Sequence, residues 1–270
     1  MSEFNFDGIS FHYEVVGKGE PFVFLHGLGG NCEISGDLLP PPEGYSFILL
    51  DQRGHGKTNA NPMEIYSFNK LADDVVALTK HLGITSFGIG GISMGAGVSV
   101  NVAVRFPHLI KSLLLVRIAW KAEPMSAKIQ DWNRQLFELL KLPDGREQFL
   151  KKPLYEQMKR EAPKACEIFL WHLTDPPALA FPEKFLAFPA DKPIGDMKDL
   201  QKIKVPTLIL SCKNDYFHPY EFGKAHSEWI PNSTFIEITP QILGEDLYKA
   251  DVQKYAGSFL SDLIARRKES

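Results

Sequence analysis

Apolar residues fall along this chain in short runs separated by longer stretches of helical periodicity. Ile9 to Val16 and Pro21 to Leu25 read as β-strands, and Gly17-Lys18-Gly19 between them is a glycine-rich turn suited to antiparallel neighbours, so a hairpin is expected near the start. Later runs lack strict alternation: Phe47 to Leu50, Ser86 to Gly90, Ser112 to Ile118, Thr207 to Ser211 and Thr234 to Ile238. Such runs fit strands buried on both faces of a parallel sheet. Between them, Phe68, Leu71, Val75, Leu78 and Leu82 recur at spacings of three and four behind Ser67, a suitable N-cap. The alternation predicts an α/β fold: a mostly parallel sheet with an antiparallel N-terminal hairpin at one edge and helices on both faces.

The rhythm breaks between Ala119 and Lys204, where amphipathic helical patterns recur without a strand and Pro124, Pro143, Pro153, Pro163, Pro176 and Pro177 punctuate the chain. This predicts an inserted helical lid over residues 119–204, with residues 1–118 and 205–270 forming the core domain. The aromatics of that stretch, Trp120, Trp132, Phe137, Phe149, Phe169, Trp171, Phe181, Phe185 and Phe188, are expected mostly to pack the lid, with several lining a ligand cavity.

Composition narrows the function classes. The chain is 44% hydrophobic and 23% charged, with no apolar run near the roughly 18 residues of a membrane span. Met1 to Asp7 lacks the basic start and apolar stretch of a secretory signal, so a cytoplasmic setting is expected. Cys32, Cys166 and Cys212 are an odd number without metal-type spacing, which suits reduced, packed thiols. The formal net charge of -3, without charge blocks, argues against nucleic acid or an anionic membrane as partner. A small molecule is the expected partner, no cofactor is called for, and the oligomeric state is not written in the sequence.

The chemistry concentrates at Gly91-Ile92-Ser93-Met94-Gly95, directly after one predicted strand and directly before a helix expected from about Met94 to Arg105. A nucleophile elbow needs small residues two positions either side of its serine, because the strained turn brings backbone segments close together. Here both are glycine. Upstream, His26-Gly27-Leu28-Gly29-Gly30 follows an apolar strand where an oxyanion loop would sit. With the elbow assigned, the backbone N–H groups of Leu28 and Met94 are expected to converge on a developing oxyanion.

A third segment, Asp51-Gln52-Arg53-Gly54-His55-Gly56-Lys57-Thr58, again follows a strand. The three segments, in this order, resemble the α/β-hydrolase superfamily, particularly its lid-bearing esterase, lactonase and haloalkane dehalogenase-like members. The resemblance implies an α/β-hydrolase sheet and assigns Asp51, Arg53, His55 and His26 to loop positioning. It also implies a catalytic acid after a late strand, where Asp215 follows the Val205 to Ser211 run. The dehalogenase reading is disfavoured, because that chemistry uses a carboxylate nucleophile and position 93 is serine.

The family pattern then calls for a histidine after the last strand, in the segment Thr239 to Asp246, and none is present. The last histidine of the chain is His226, before that strand. Losing the histidine of such a unit costs on the order of 10⁶ in kcat, and an oxyanion hole with binding alone leaves about 10³ to 10⁴ over water. Four readings stay open. His218 turns inward as base, or caps the helix that Pro219 begins; His172 reaches down from the lid; Glu245, Asp246 or Tyr248 substitutes locally; or the chain is a weak or non-hydrolytic member, or an altered form of an active one, the reading placed first. The expected function is a serine-dependent hydrolase of a small apolar ester, thioester or lactone, using Ser93 and Asp215. The alternative is a degenerate hydrolase that binds a small ligand or a partner without turnover.

Overall fold

The computed structural model describes residues 2–60 and 66–268; Met1 and residues 269–270, at the ends of the expected core, lie outside them. Eight strands form one sheet in the order β1-β2-β4-β3-β5-β6-β7-β8. They are β1 (Ser2–Phe6), β2 (Ile9–Gly17), β3 (Glu20–Leu25), β4 (Tyr45–Leu50), β5 (Phe87–Ile92), β6 (Ile110–Val116), β7 (Thr207–Ser211) and β8 (Ser233–Glu237). From β4 onward in that order every pairing is parallel, and β1 and β2 form the antiparallel edge.

The hairpin is not where the glycine-rich turn predicts it. β2 pairs antiparallel with β1 and with β4, and β4 lies between β2 and β3. Asp7 and Gly8, both at positive φ (52° and 75°), make the two-residue turn that joins Phe6 to Ile9, the backbone that hairpin twist favours. Gly17 and Gly19 serve a different end. Both have positive φ, and a Cβ on Gly19 would lie 2.0 Å from the Gly44 carbonyl oxygen, so the link between β2 and β3 is pressed against the start of β4. β1 escapes the sequence pattern because Phe4 alone among its five residues is buried.

Continuous apolar runs are explained by two cores. Val23, Leu25, Leu113 and Leu115 face the cluster under α2 (Phe68–His81) and α3 (Met94–Arg105), whereas Phe22, Phe24, Leu114 and Val116 face α1 (Cys32–Leu38) and α11 (Glu245–Lys268). Each strand alternates, but both faces are covered, so both registers are apolar. Ser67 caps α2 by accepting from the Lys70 N–H, as its position predicts. α10 (Tyr220–Trp229) follows β7.

Between β6 and β7 the chain runs through α4 (Ala127–Leu140), α5 (Gly145–Leu150), α6 (Pro153–Glu161), α7 (Pro163–His172), α8 (Pro176–Ala180) and α9 (Lys184–Ala190). Trp132, Phe149, Phe169 and Phe185 form a third cluster of their own there, while Trp120 and Phe188 join the main core and Trp171 is exposed. The buried Lys184 ammonium ties this layer to the sheet, donating to the carbonyls of Gly54 (2.6 Å) and Pro177 (2.9 Å). No helix among the described residues is long and apolar enough to cross a membrane.

The glycines of the elbow make a stability prediction. A Cβ on Gly95 would stand 2.3 Å from the Leu25 carbonyl oxygen, backbone that cannot swing aside, whereas a Cβ on Gly257 within α11 meets nothing within 4 Å. Gly95→Ala is expected to lower unfolding free energy by at least the ~1–3 kcal/mol of overpacking. Gly257→Ala is expected to raise it by about 0.5–1 kcal/mol through helix propensity. Urea unfolding of both variants checks this, and a neutral Gly95→Ala would contradict the close approach.

Candidate active site

Four neighbouring parallel strands, β3, β5, β6 and β7, deliver the site from their C-terminal ends, where the loops of an open α/β sheet collect ligands. Ser93 follows β5 with φ 56° and ψ -114°, a conformation L-residues rarely adopt, which costs on the order of 1–3 kcal/mol and is held only by its surroundings. Those surroundings are the Ser93 N–H bond to the Val116 carbonyl (3.0 Å) and the bare backbones of Gly91 and Gly95. A Cβ on Gly91 would meet Gly95 at 2.6 Å. The hydroxyl is thereby presented at the C-terminal end of β5, in the middle of the sheet.

The imidazole of His218 lies against it. His218 Nε2 is 2.8 Å from Ser93 Oγ, and His218 Nδ1 is 2.9 Å from Asp215 Oδ1. Both belong to the loop after β7, and the His218 N–H also donates to Asp215 Oδ1 (3.2 Å), so the spacing of three folds acid and imidazole into one turn. Among the described residues, no other residue read as a replacement base contacts Ser93 Oγ through a hydrogen bond. His172 packs between Trp171 and Phe185, with ring centroids 4.8 and 4.7 Å away. Glu245 and Asp246 are exposed at the start of α11, and Tyr248 is buried beneath the Arg117 guanidinium at 5.2 Å. Where the family pattern calls for histidine, Gln241 accepts from Arg117 Nη1 (2.9 Å).

Arg117 was hidden inside the expected Ser112 to Ile118 strand. β6 ends at Val116, and Arg117 turns out of it at φ 49°, its N–H donating to the Leu210 carbonyl at 2.8 Å. Its Nε and Nη2 reach Asp215 Oδ2 at 2.7 and 2.6 Å. The signal in the sequence was a lone arginine at the end of an apolar run.

The electrostatics follow from burial. Desolvation alone would raise the Asp215 carboxyl, but His218 and Arg117 together hold it far below the usual carboxylate range. Burial lowers the His218 imidazole, Asp215 opposes, and Arg117 adds to the lowering. A cavity of about 90 Å³ opens on Ser93 and His218, walled by Leu28, Trp120, Phe169 and Phe217. Behind His218 and Phe217 lies a wider cleft of about 450 Å³ reaching Arg117 and Gln241.

The remaining motif residues are structural in their contacts. Asp51 accepts from the Cys32 N–H (2.6 Å) and the Lys57 N–H (2.8 Å), and Arg53 donates from Nε to Asp74 at 2.7 Å. His26 Nε2 accepts from the Gln52 N–H at 3.0 Å, and His55 Nδ1 lies 3.0 Å from the Arg53 carbonyl. Asp51, His12 and Cys32 lie close enough together to suggest metal ligands. Burial and then Asp51 push the Cys32 thiol far above its ordinary value, and each Asp51 oxygen already accepts from a backbone N–H. All three cysteines are buried free thiols. Leu28 lines the serine cavity and Met94 is the first residue of α3. Among the described residues neither amide is taken by a backbone carbonyl outside the regular helices and strands.

A family model described as alpha/beta hydrolase fold matches residues 20–165, more than half of the chain. The chain belongs to the alpha/beta hydrolase fold family. This hydrolase-fold chain is similar to the AB hydrolase superfamily protein YisY of Bacillus subtilis, 28% identical over 243 residues that cover 84% of this chain and 86% of that protein. In fold it is similar to the enol-lactonase from Burkholderia xenovorans, with TM-score 0.72, 21% identity, and coverage of 96% of this chain and 100% of that one. It is also similar to a thermophilic esterase from Thermogutta terrifontis, with TM-score 0.69, 23% identity, and coverage of 98% and 96%.

His172 makes the pH dependence of stability testable. Burial, with the Lys184 charge adding to it, pushes its imidazole down to about 3 from its ordinary 6.5. Between those values the unfolded chain binds a proton that the folded chain refuses, so stability is lost as pH falls from about 6.5 toward 3. His172→Leu is expected to flatten that loss by up to a few kcal/mol. Urea unfolding at stepped pH reads it, and an unchanged slope would refute the assignment.

Proposed function

We propose that this protein is a serine-dependent hydrolase of small apolar esters, thioesters or lactones, with Ser93 as nucleophile, His218 as general base and Asp215 as the acid that orients it. The observation that carries this reading is the continuous chain of contacts from Ser93 Oγ to His218 Nε2 (2.8 Å) and from His218 Nδ1 to Asp215 Oδ1 (2.9 Å). A triad is defined by geometry and role, not by chain order. With His218 in that role the missing histidine after β8 no longer argues for weak turnover.

In the reaction, His218 Nε2 takes the Oγ proton as Oγ bonds to the substrate carbonyl carbon. Asp215 accepts the Nδ1–H and stabilises the imidazolium. The N–H groups of Leu28 and Met94 receive the oxyanion, Met94 with the favourable potential of the α3 N-terminus. The imidazolium then protonates the leaving oxygen or sulfur as its bond to carbon breaks. Water attacks the acyl-enzyme by the same route, returning the proton to Ser93. Residues 119–204 act as the lid. The small, largely apolar cavity suits a short acyl group, and the likeness in fold to proteins described as an esterase and an enol-lactonase agrees with attack on a carbonyl.

Ser93→Ala and His218→Ala are each expected to lower kcat on a chromogenic short-chain ester by on the order of 10³ to 10⁶. Ser93→Ala should abolish labelling by a serine-directed phosphonate, and His218→Ala should slow it. Turnover and labelling that do not depend on Ser93 would sink the hydrolase reading and favour a ligand-binding role. Turnover that survives His218→Ala would remove His218 as base.

A further inference from the structure

Arg117 occupies an unusual place for a buried cation. Its Nε donates to Asp215 Oδ2 at 2.7 Å with Nη2 in ion-pair contact at 2.6 Å, its Nη1 donates to Gln241 Oε1 at 2.9 Å, and its Nη2 lies 3.1 Å from His218 Nδ1. Gln241 in turn donates to Glu245 at 2.7 Å, so the loop after β8, free of a catalytic histidine, is joined to the acid through this one side chain. The strained φ of 49° at Arg117 persists inside the sheet's end, where its N–H is held by Leu210, so the head group has one fixed direction.

The hydrogen positions at His218 Nδ1 are constrained by this arrangement. Nδ1 cannot donate to Asp215 and accept from Arg117 in the same state. With the proton on Nδ1, Nε2 is free to take the serine proton, and the guanidinium edge is a positive neighbour of the ring. With the proton on Nε2, Nδ1 accepts from Arg117 and Ser93 has no base. The guanidinium's hold on Oδ2 leaves the other carboxylate oxygen, Oδ1, facing Nδ1 at 2.9 Å and so favours the first state.

We propose that Arg117 is the positioning residue of the His218 base: it clamps Asp215 in line with the imidazole and keeps a fixed positive charge at the ring edge. This rests on His218 being the base, as proposed above. The direction of the His218 shift agrees, since burial and Arg117 both lower it against the pull of Asp215. Other ionisable or charged groups around the loop are Cys212 and Tyr248 beside Arg117, Glu245 beyond Gln241, His172 across the serine cavity, and Arg160, Glu161 and Lys164 on α6 and α7 across the cleft. Arg160 pairs with Glu161 at 3.1 Å and Lys164 with Glu167 at 2.8 Å on the exposed face, where solvent screens them.

The test compares Arg117→Gln, which removes the charge, with Arg117→Lys, which keeps the charge and loses the guanidinium's simultaneous hold on Asp215 and Gln241. The His218 imidazole is titrated by NMR, its signal assigned by its loss in His218→Gln. In Arg117→Gln the midpoint is expected to rise by about one pH unit or more, carrying the acid limb of kcat/KM upward with it. In Arg117→Lys the midpoint is expected to stay near wild type while kcat falls about tenfold at little change in KM. An unmoved midpoint in Arg117→Gln, or wild-type kcat in Arg117→Lys, overturns the inference. If Arg117→Gln does not fold, the Arg117→Lys kcat decides alone. A wild-type protein without Ser93-dependent turnover ends the hydrolase reading, whereas the NMR midpoint still decides what Arg117 does to His218.

Discussion

The site depends on one close approach, that of the α3 start to the end of β3. The Gly95 backbone lies so near the Leu25 carbonyl that a methyl group has no room, and Gly91 in turn lies too near Gly95 to carry one. Only with both side chains absent does the chain turn from β5 into α3 sharply enough to force Ser93 to positive φ and lift its hydroxyl clear of the sheet. The same contact sets Leu28 beside Ser93, because Leu25 and His26 lead straight into the loop that carries it. Two cores, one on each sheet face, supply the rigidity that holds this strain in place.

Around that fixed serine the acid and the imidazole come from one loop. Asp215 and His218 are three residues apart, and two bonds to Oδ1, from the His218 ring and from its backbone, close the turn. Both groups therefore ride on the end of β7, the neighbour of β6, whose own end carries Arg117. A buried carboxylate with its oxygens accepting from a guanidinium and an imidazole is well compensated, which is why its charge survives burial. Gln241, standing where the family pattern has histidine, completes the guanidinium's contacts.

Much of the fold is legible in the residues. The Ser67 cap, the α2 stripe, the helix after Ser93 and the apolar strands follow from local periodicity and side-chain chemistry. The strand order at the sheet edge does not, because the turn at Gly17 to Gly19 is compatible with a hairpin and only the insertion of β4 between β2 and β3 forbids it. β1 was silent because a single buried phenylalanine makes no pattern.

The sequence alone reveals the glycine-bounded turn at Ser93, the glycine-rich loop at His26 and the availability of Asp215, since each is a short-range pattern contiguous with its flanking strand. It left the partner of Ser93 among several side chains. That His218 meets Ser93 across 125 positions, and Arg117 meets Asp215 across 98, is visible only once the chain is folded. These contacts depend on β5, β6 and β7 lying side by side, and sheet neighbours are chosen by the packing of both faces at once.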